Sequence, residues 1–230
     1  MKLIGLIGGM SWQSTADYYK LINEMVWQKL GGQHSARILL YSVDFEPLQQ
    51  AQHEGRWDDT ARMLAEAALA LKRGGADFLV LCTNTMHKVA DAVEQAADLP
   101  LLHIADAAGE AIKAKGLERV ALLGTRFTME DDFYRGRLQE RFGLMVLIPP
   151  EPDRLDVHHI IYDELCHGEV KDASRRRYVE IISELAQAGA EGVILGCTEI
   201  PMLIKPPDVP IPIFDTTHLH AEAAVRRALA

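Results

Sequence analysis

Gly75-Ala76-Asp77-Phe78-Leu79-Val80-Leu81-Cys82-Thr83 aligns without a gap on Gly189-Ala190-Glu191-Gly192-Val193-Ile194-Leu195-Gly196-Cys197. In each stretch a Gly-Ala turn leads into a short, almost wholly apolar run and ends on a polar or reactive side chain. A continuous apolar run of that length is the pattern of a strand buried on both faces in a parallel sheet. Two further pairs extend the repeat. Ile4-Gly5-Leu6-Ile7-Gly8-Gly9 matches Val120-Ala121-Leu122-Leu123-Gly124-Thr125, and Leu99-Pro100-Leu101-Leu102-His103-Ile104-Ala105-Asp106 echoes Val209-Pro210-Ile211-Pro212-Ile213-Phe214-Asp215. A chain that repeats its strand order is built from two related units.

Around these pairs, strand patterns alternate with helical patterns that end in glycine, which predicts an α/β class with parallel sheets. In the first half strands are expected at 2–7, 37–43, 77–82 and 101–104, with helices at 13–30, 58–73, 84–95 and 106–115. The second half repeats the order, with strands at 119–123, 144–148, 192–196 and 211–214 and helices at 129–141, 154–166, 174–188 and 218–229. Two pseudo-symmetric Rossmann-like lobes follow, the first formed by residues 1–105 with 215–230 and the second by 106–214. Ligands of open α/β sheets bind beyond the carboxyl ends of the strands, so an inter-lobe cleft with Thr83 facing Cys197 is expected.

Composition narrows the function. With 33 acidic and 24 basic residues the net charge is −9, which supplies no basic stripe for phosphates or anionic lipid. Nucleic acid and membrane partners are therefore not expected. The apolar residues 3–7 are interrupted by Gly8-Gly9 and read as a buried strand, not as a leader. Cys82, Cys166 and Cys197 show no CxxC spacing or disulfide framework, which points to a reducing cytoplasm. No GxGxxG follows the first strand and the nine histidines lack a metal-ligand spacing, so neither a dinucleotide nor a metal is expected.

Two matched loops bearing Thr83 and Cys197 suit inversion of a stereocentre, which needs a base on one face of a carbon and an acid on the other. A thiol ionises more readily than a hydroxyl, and a helix N-terminus after Gly196 is expected to lower the pKa of Cys197 further. The plain alternative is that Cys197 is a small hydrophobe at the end of a buried strand. Asn84-Thr85 and Thr198-Glu199 follow the two candidates, where backbone N–H groups of starting helices can hold a carboxylate. The same residues also read as helix caps. Cys82 points to the opposite face from Thr83 and is read as structural.

Leu81-Cys82-Thr83-Asn84-Thr85-Met86-His87, Leu195-Gly196-Cys197-Thr198-Glu199-Ile200 and the opening Gly8-Gly9-Met10-Ser11-Trp12-Gln13-Ser14-Thr15 resemble the aspartate/glutamate racemase family. The match is best with its enterobacterial branch, described as broad-specificity amino-acid racemases or L-aspartate/glutamate-specific racemases. The resemblance spans essentially the whole chain. It implies a two-base amino-acid racemase without pyridoxal phosphate or other cofactor, and commonly a homodimer. It also implies substrate contacts by Met10, Ser11, Gln52, Asn84, Thr85, Thr125, Cys166, Thr198 and Glu199. Most of the family carries cysteine in both motifs, so Thr83 is a departure. A hydroxyl is the poorer base, and unequal rates in the two directions are expected.

Gln52 and Cys166 offer no fixed positive charge for a second carboxylate. Homoserine or methionine therefore compete with aspartate and glutamate as substrates. Two other functions are open on these residues. One is a decarboxylase of the same fold, which needs a single cysteine. The other is a non-catalytic sensor whose lobes close on an amino acid.

Overall fold

The computed structural model describes all 230 residues, and the repeat in the sequence becomes a repeat of topology. The chain divides into two compact units, Met1–Ile104 with His220–Ala230, and Ala105–Leu219. The first holds β1 (Ile4–Gly8), β2 (Ile38–Ser42), β3 (Phe78–Leu81) and β4 (Leu101–Leu102), hydrogen-bonded in the order β2-β1-β3-β4, all parallel. Its helices are α1 (Trp12–Leu30), α2 (Phe45–His53), α3 (Trp57–Arg73) and α4 (Ala90–Ala97), and a 3₁₀ turn spans Thr85–Val89.

After α5 (Ile104–Ala114), the second unit repeats the plan with β5 (Arg119–Gly124), β6 (Met145–Leu147), β7 (Gly192–Gly196) and β8 (Ile213–Asp215) in the order β6-β5-β7-β8, again parallel. Between them lie α6 (Arg126–Glu130), α7 (Asp132–Phe142), α8 (Glu151–Asp163), α9 (Asp172–Gln187) and α10 (Ile200–Leu203). The final helix, α11 (Thr216–Leu229), returns the chain to the first unit. No helix is long and apolar enough to cross a membrane.

The central strands β1, β3, β5 and β7 are buried and almost wholly apolar because both of their faces are covered. In the first unit Ile4, Leu6, Phe78 and Val80 pack with Tyr18, Ile22 and Val26 of α1 and Ala221, Ala224 and Val225 of α11. The alternate residues Ile7, Leu79 and Leu81 pack with Leu48 of α2, Leu64, Ala68 and Leu71 of α3 and Val93 of α4. In the second unit Ala121, Leu123, Val193 and Leu195 pack with Val157 and Ile161 of α8 and Tyr178, Ile182 and Leu185 of α9. The two-residue alternation of a strand thus assigns each side chain to one layer or the other.

Helix α5 starts at Ile104, inside the strand expected at 101–104, α10 was not expected, and three further segments differ from the sequence expectation. Helix α2 was not expected; it tolerates Pro47 because that residue stands in the first turn, where its missing N–H has no intrahelical partner to lose. The single helix expected over 129–141 is two, because Asp131 is extended (φ −80°, ψ 150°) between α6 and α7. The helix expected from residue 84 begins as the 3₁₀ turn and becomes α-helical only at Ala90.

Candidate active site

Within each unit most of the candidate residues follow the carboxyl ends of the two central strands, while Gln52 lies on α2 and Cys166 in the 3₁₀ turn Leu165–His167. In the first, β1 and β3 lie side by side, with Ile7 opposite Leu81 and the Cys82 N–H donating to the Ile7 carbonyl at 2.9 Å. The loop after β1 turns at Gly9, whose φ of +96° and 2.3 Å gap between an added Cβ and the Val43 carbonyl oxygen admit glycine alone. The Gly9 N–H donates to Thr15 Oγ1 at 2.8 Å, and that hydroxyl donates to the Ser11 carbonyl at 2.8 Å. Ser11 is the N-cap of α1, its Oγ accepting from the Ser14 N–H. Met10 is buried in the same apolar cluster as Leu48 and Met86, and Gln52 is buried on α2.

Thr83 lies two residues past β3, buried except for 9% of its surface. Its N–H donates to the Leu81 carbonyl at 2.8 Å, and its own carbonyl lies 2.8 Å from His87 Nδ1. Asn84 and Thr85 are buried beside it. Asn84 holds the N-cap position but makes no side-chain capping bond, so the capping expectation fails here. Cys82 belongs to the apolar cluster formed with α1 and α11, where burial pushes its thiol far above the ordinary range; it is structural.

In the second unit β5 and β7 end in register at Gly124 and Gly196, leaving Thr125 and Cys197 next in each chain segment. Thr125 caps α6 by accepting from the Thr128 N–H at 3.3 Å, and the two hydroxyls lie 3.2 Å apart. The Cys197 thiol donates to Glu199 Oε2 at 3.0 Å, and the Thr198 hydroxyl donates to the same oxygen at 2.7 Å. Glu199 is itself buried. Cys166 sits in the 3₁₀ turn Leu165–His167 and packs against the apolar cluster that holds Cys197.

The electrostatics correct one expectation. Instead of being lowered by a helix end, the Cys197 pKa is raised well above its ordinary value, first by burial and then by the charge of Glu199 and the proximity of Cys166. Helix α10 has only four residues and starts three positions later, so its dipole is too small and too distant to compete. Cys166 is pushed up to about 12 by burial and by Glu199. The resting thiols are therefore neutral. Thr198 and Glu199 make no side-chain cap on α10; the Thr198 hydroxyl bonds Glu199, and Glu199 also accepts from the Cys197 thiol.

The sequence did not expose the part played by His87, which stands four residues after Thr83 and is fully buried against His103 and His220. The i, i+4 spacing across the loop was the available signal. Nor did it expose the pairing of Cys197 with Glu199, two residues on, which read as a carboxylate-binding neighbour.

Comparison with known proteins agrees over the whole chain. A sequence model described as Asp/Glu/hydantoin racemase matches residues 7–224. The chain is 23% identical over 244 residues, covering 99% of each, to the broad-specificity amino-acid racemase RacX of Bacillus subtilis. Among solved structures, a Yersinia pestis protein presented as a candidate Asp/Glu racemase is 53% identical with a TM-score of 0.95, each chain covered fully. An aspartate racemase homologue from Pyrococcus horikoshii is 35% identical with a TM-score of 0.86, again over both full lengths.

Proposed function

Because the chain belongs to the Asp/Glu/hydantoin racemase family, we propose that it inverts free amino acids by two-base proton transfer at Cα, with Cys197 on one face and Thr83 on the other. This makes it an isomerase of a pyridoxal-phosphate-independent racemase class. One observation carries the reading. Two sheets of identical strand order present proton-bearing side chains at matching positions, after β3 and after β7, and one of them is a thiol hydrogen-bonded to a buried carboxylate.

Glu199 Oε2 takes the thiol proton, and the Cys197 thiolate removes the α-hydrogen of the substrate. Thr83 Oγ1–H then delivers its proton to the opposite face, recovers one from solvent, and Glu199 releases one. The carbanion is sustained by donors around the substrate carboxylate in a water-poor site, where fixed dipoles act most strongly. Asn84, Thr85 and Thr125 are its candidate donors, and Met10 and Ser11 are further candidate substrate contacts. The hydroxyl is the weaker base, so the two directions differ in kcat, with KM differing in proportion because the enantiomers have equal energy.

Gln52 and the neutral Cys166 thiol suit a polar, uncharged side chain such as that of homoserine or methionine. Aspartate and glutamate remain within reach of amides and helix N-termini. The three free cysteines suit a reducing cytoplasm. We take a second copy as the partner on the first unit, where Trp12, Tyr19 and Trp27 of α1 and Leu40 and Tyr41 of edge strand β2 are exposed. Light scattering of the purified protein tests for that dimer.

The activity is tested by incubating the protein with single enantiomers of homoserine, methionine, aspartate and glutamate without added cofactor and following chirality. Loss of inversion in Cys197→Ala supports the reading. Carbon dioxide release from a malonate panel, or no turnover of any amino acid, overturns it in favour of a decarboxylase or a sensor.

A further inference from the structure

Behind Thr83 lies a buried cluster of three imidazoles and a phenol that the proposed chemistry does not use. His87 and His103 have ring centroids 4.5 Å apart, and His87 and His220 5.7 Å apart. The ring nitrogens are committed. Ile104 N–H points at His87 Nε2 at 3.2 Å, so Nε2 accepts and the proton must be on Nδ1, which donates to the Thr83 carbonyl at 2.8 Å. His220 Nε2 lies 2.8 Å from the Leu102 carbonyl and so donates, leaving Nδ1 to accept from the Tyr18 hydroxyl at 2.9 Å. With both nitrogens of His87 and of His220 engaged by protein groups, neither ring has a nitrogen to spare for a metal.

An imidazolium at His87 would point an N–H at the Ile104 N–H. The Thr83 and Leu102 carbonyls favour the charged ring, but burial together with the neighbouring His103 and His220 outweighs them and holds its pKa well below the ordinary value. The titratable groups that face it from the packed elements are those two imidazoles, with Tyr18 reached through His220.

We propose that His87 is a positioning residue for the Thr83 half of the reaction: its Nδ1–H holds the Thr83 carbonyl and thereby fixes the peptide that aims the Thr83 hydroxyl. The bond also explains the local backbone. The Thr83 carbonyl is taken by a side chain, the His87 N–H bonds Asn84 instead, and the segment opens as a 3₁₀ turn with Thr83 outside it. The inference rests on the two-base reading above.

The two nitrogens of His87 can be replaced separately. Asn places an amide N–H near the Nδ1 position and keeps the bond to Thr83; Gln places an acceptor near the Nε2 position and keeps Ile104 while losing Thr83. The assay follows α-deuteration in deuterium oxide together with chirality, starting from each enantiomer. When the hydroxyl is misaimed, Cys197 still exchanges the α-hydrogen of one enantiomer but returns deuterium to the same face. His87→Gln should therefore show exchange with retention from one enantiomer and inversion slowed by about ten- to a hundredfold. His87→Asn should keep the wild-type ratio of inversion to exchange. A wild-type ratio in the Gln variant, or an equal change in both, overturns the inference. If the Gln variant does not fold, the Asn variant decides alone: a shifted ratio refutes the role of the Thr83 bond. Absence of exchange in the wild-type protein would instead count against the racemase reading itself.

Discussion

Replacing Gly124 by alanine tests whether the close approach of β5 and β7 sets the position of Cys197. A Cβ at Gly124 would lie 2.7 Å from the Gly196 carbonyl oxygen and 3.2 Å from Thr128 Cβ. The first gap is 0.7 Å short of ordinary contact, which begins at 3.4 Å, and the atom in the way is backbone. The strand ends must part, and Gly196 is the residue before Cys197. Overpacking of this kind costs about 1–3 kcal/mol, or roughly 2–12 °C in melting temperature for a chain of this length. A displacement approaching 1 Å at a reacting group lowers turnover by about ten- to a hundredfold. Calorimetry and the chirality assay read the two effects. Gly136→Ala is the internal control, because its Cβ meets only Asp132 Cβ at 3.5 Å on helix α7, and it should gain about 0.5–1 kcal/mol. Wild-type melting and turnover in Gly124→Ala would refute the reasoning.

Glu199→Gln removes a negative charge that opposes ionisation of Cys197, so the pKa of that thiol falls towards its ordinary value; the alkylation profile of Cys197 against pH should shift to lower pH, and an unmoved profile would mean that burial alone sets it. In the native protein the Cys197 thiol is held well above its ordinary pKa, so its rate of alkylation should still be rising with pH above 9; an alkylation plateau near neutrality would contradict the raised pKa. Cys166, held at about 12 against an ordinary 9.0, should alkylate about a thousandfold more slowly at pH 8 than a free thiol and recover the normal rate on unfolding. Thr83→Cys puts a better base on the weaker face, and the two kcat values measured by polarimetry at saturating substrate should become more nearly equal.

The repeat made the fold legible before any coordinates. Matching runs at Leu79–Leu81 and Val193–Leu195 needed no tertiary information, because a strand covered on both faces is apolar throughout. Helix α2 was not read from the sequence; it carries Pro47, whose tolerance depends on its position in the first turn, which composition does not reveal. The candidate site was legible as residues, and less so as electrostatics. That Cys197 is neutral at rest follows from burial and from a carboxylate 3.0 Å away, neither of which a motif encodes. The His87 cluster draws on Tyr18, His103 and His220, separated by as many as 202 positions, so no local pattern announces it.

The most direct measurement of the central claim is α-hydrogen exchange by proton magnetic resonance in deuterium oxide, with chirality followed in the same sample, for the wild type, Cys197→Ala and Thr83→Ala. Two bases on opposite faces predict exchange with inversion in the wild type, persistence of exchange with retention from one enantiomer in Thr83→Ala, and loss of that exchange in Cys197→Ala. Undiminished inversion in either variant would contradict the account.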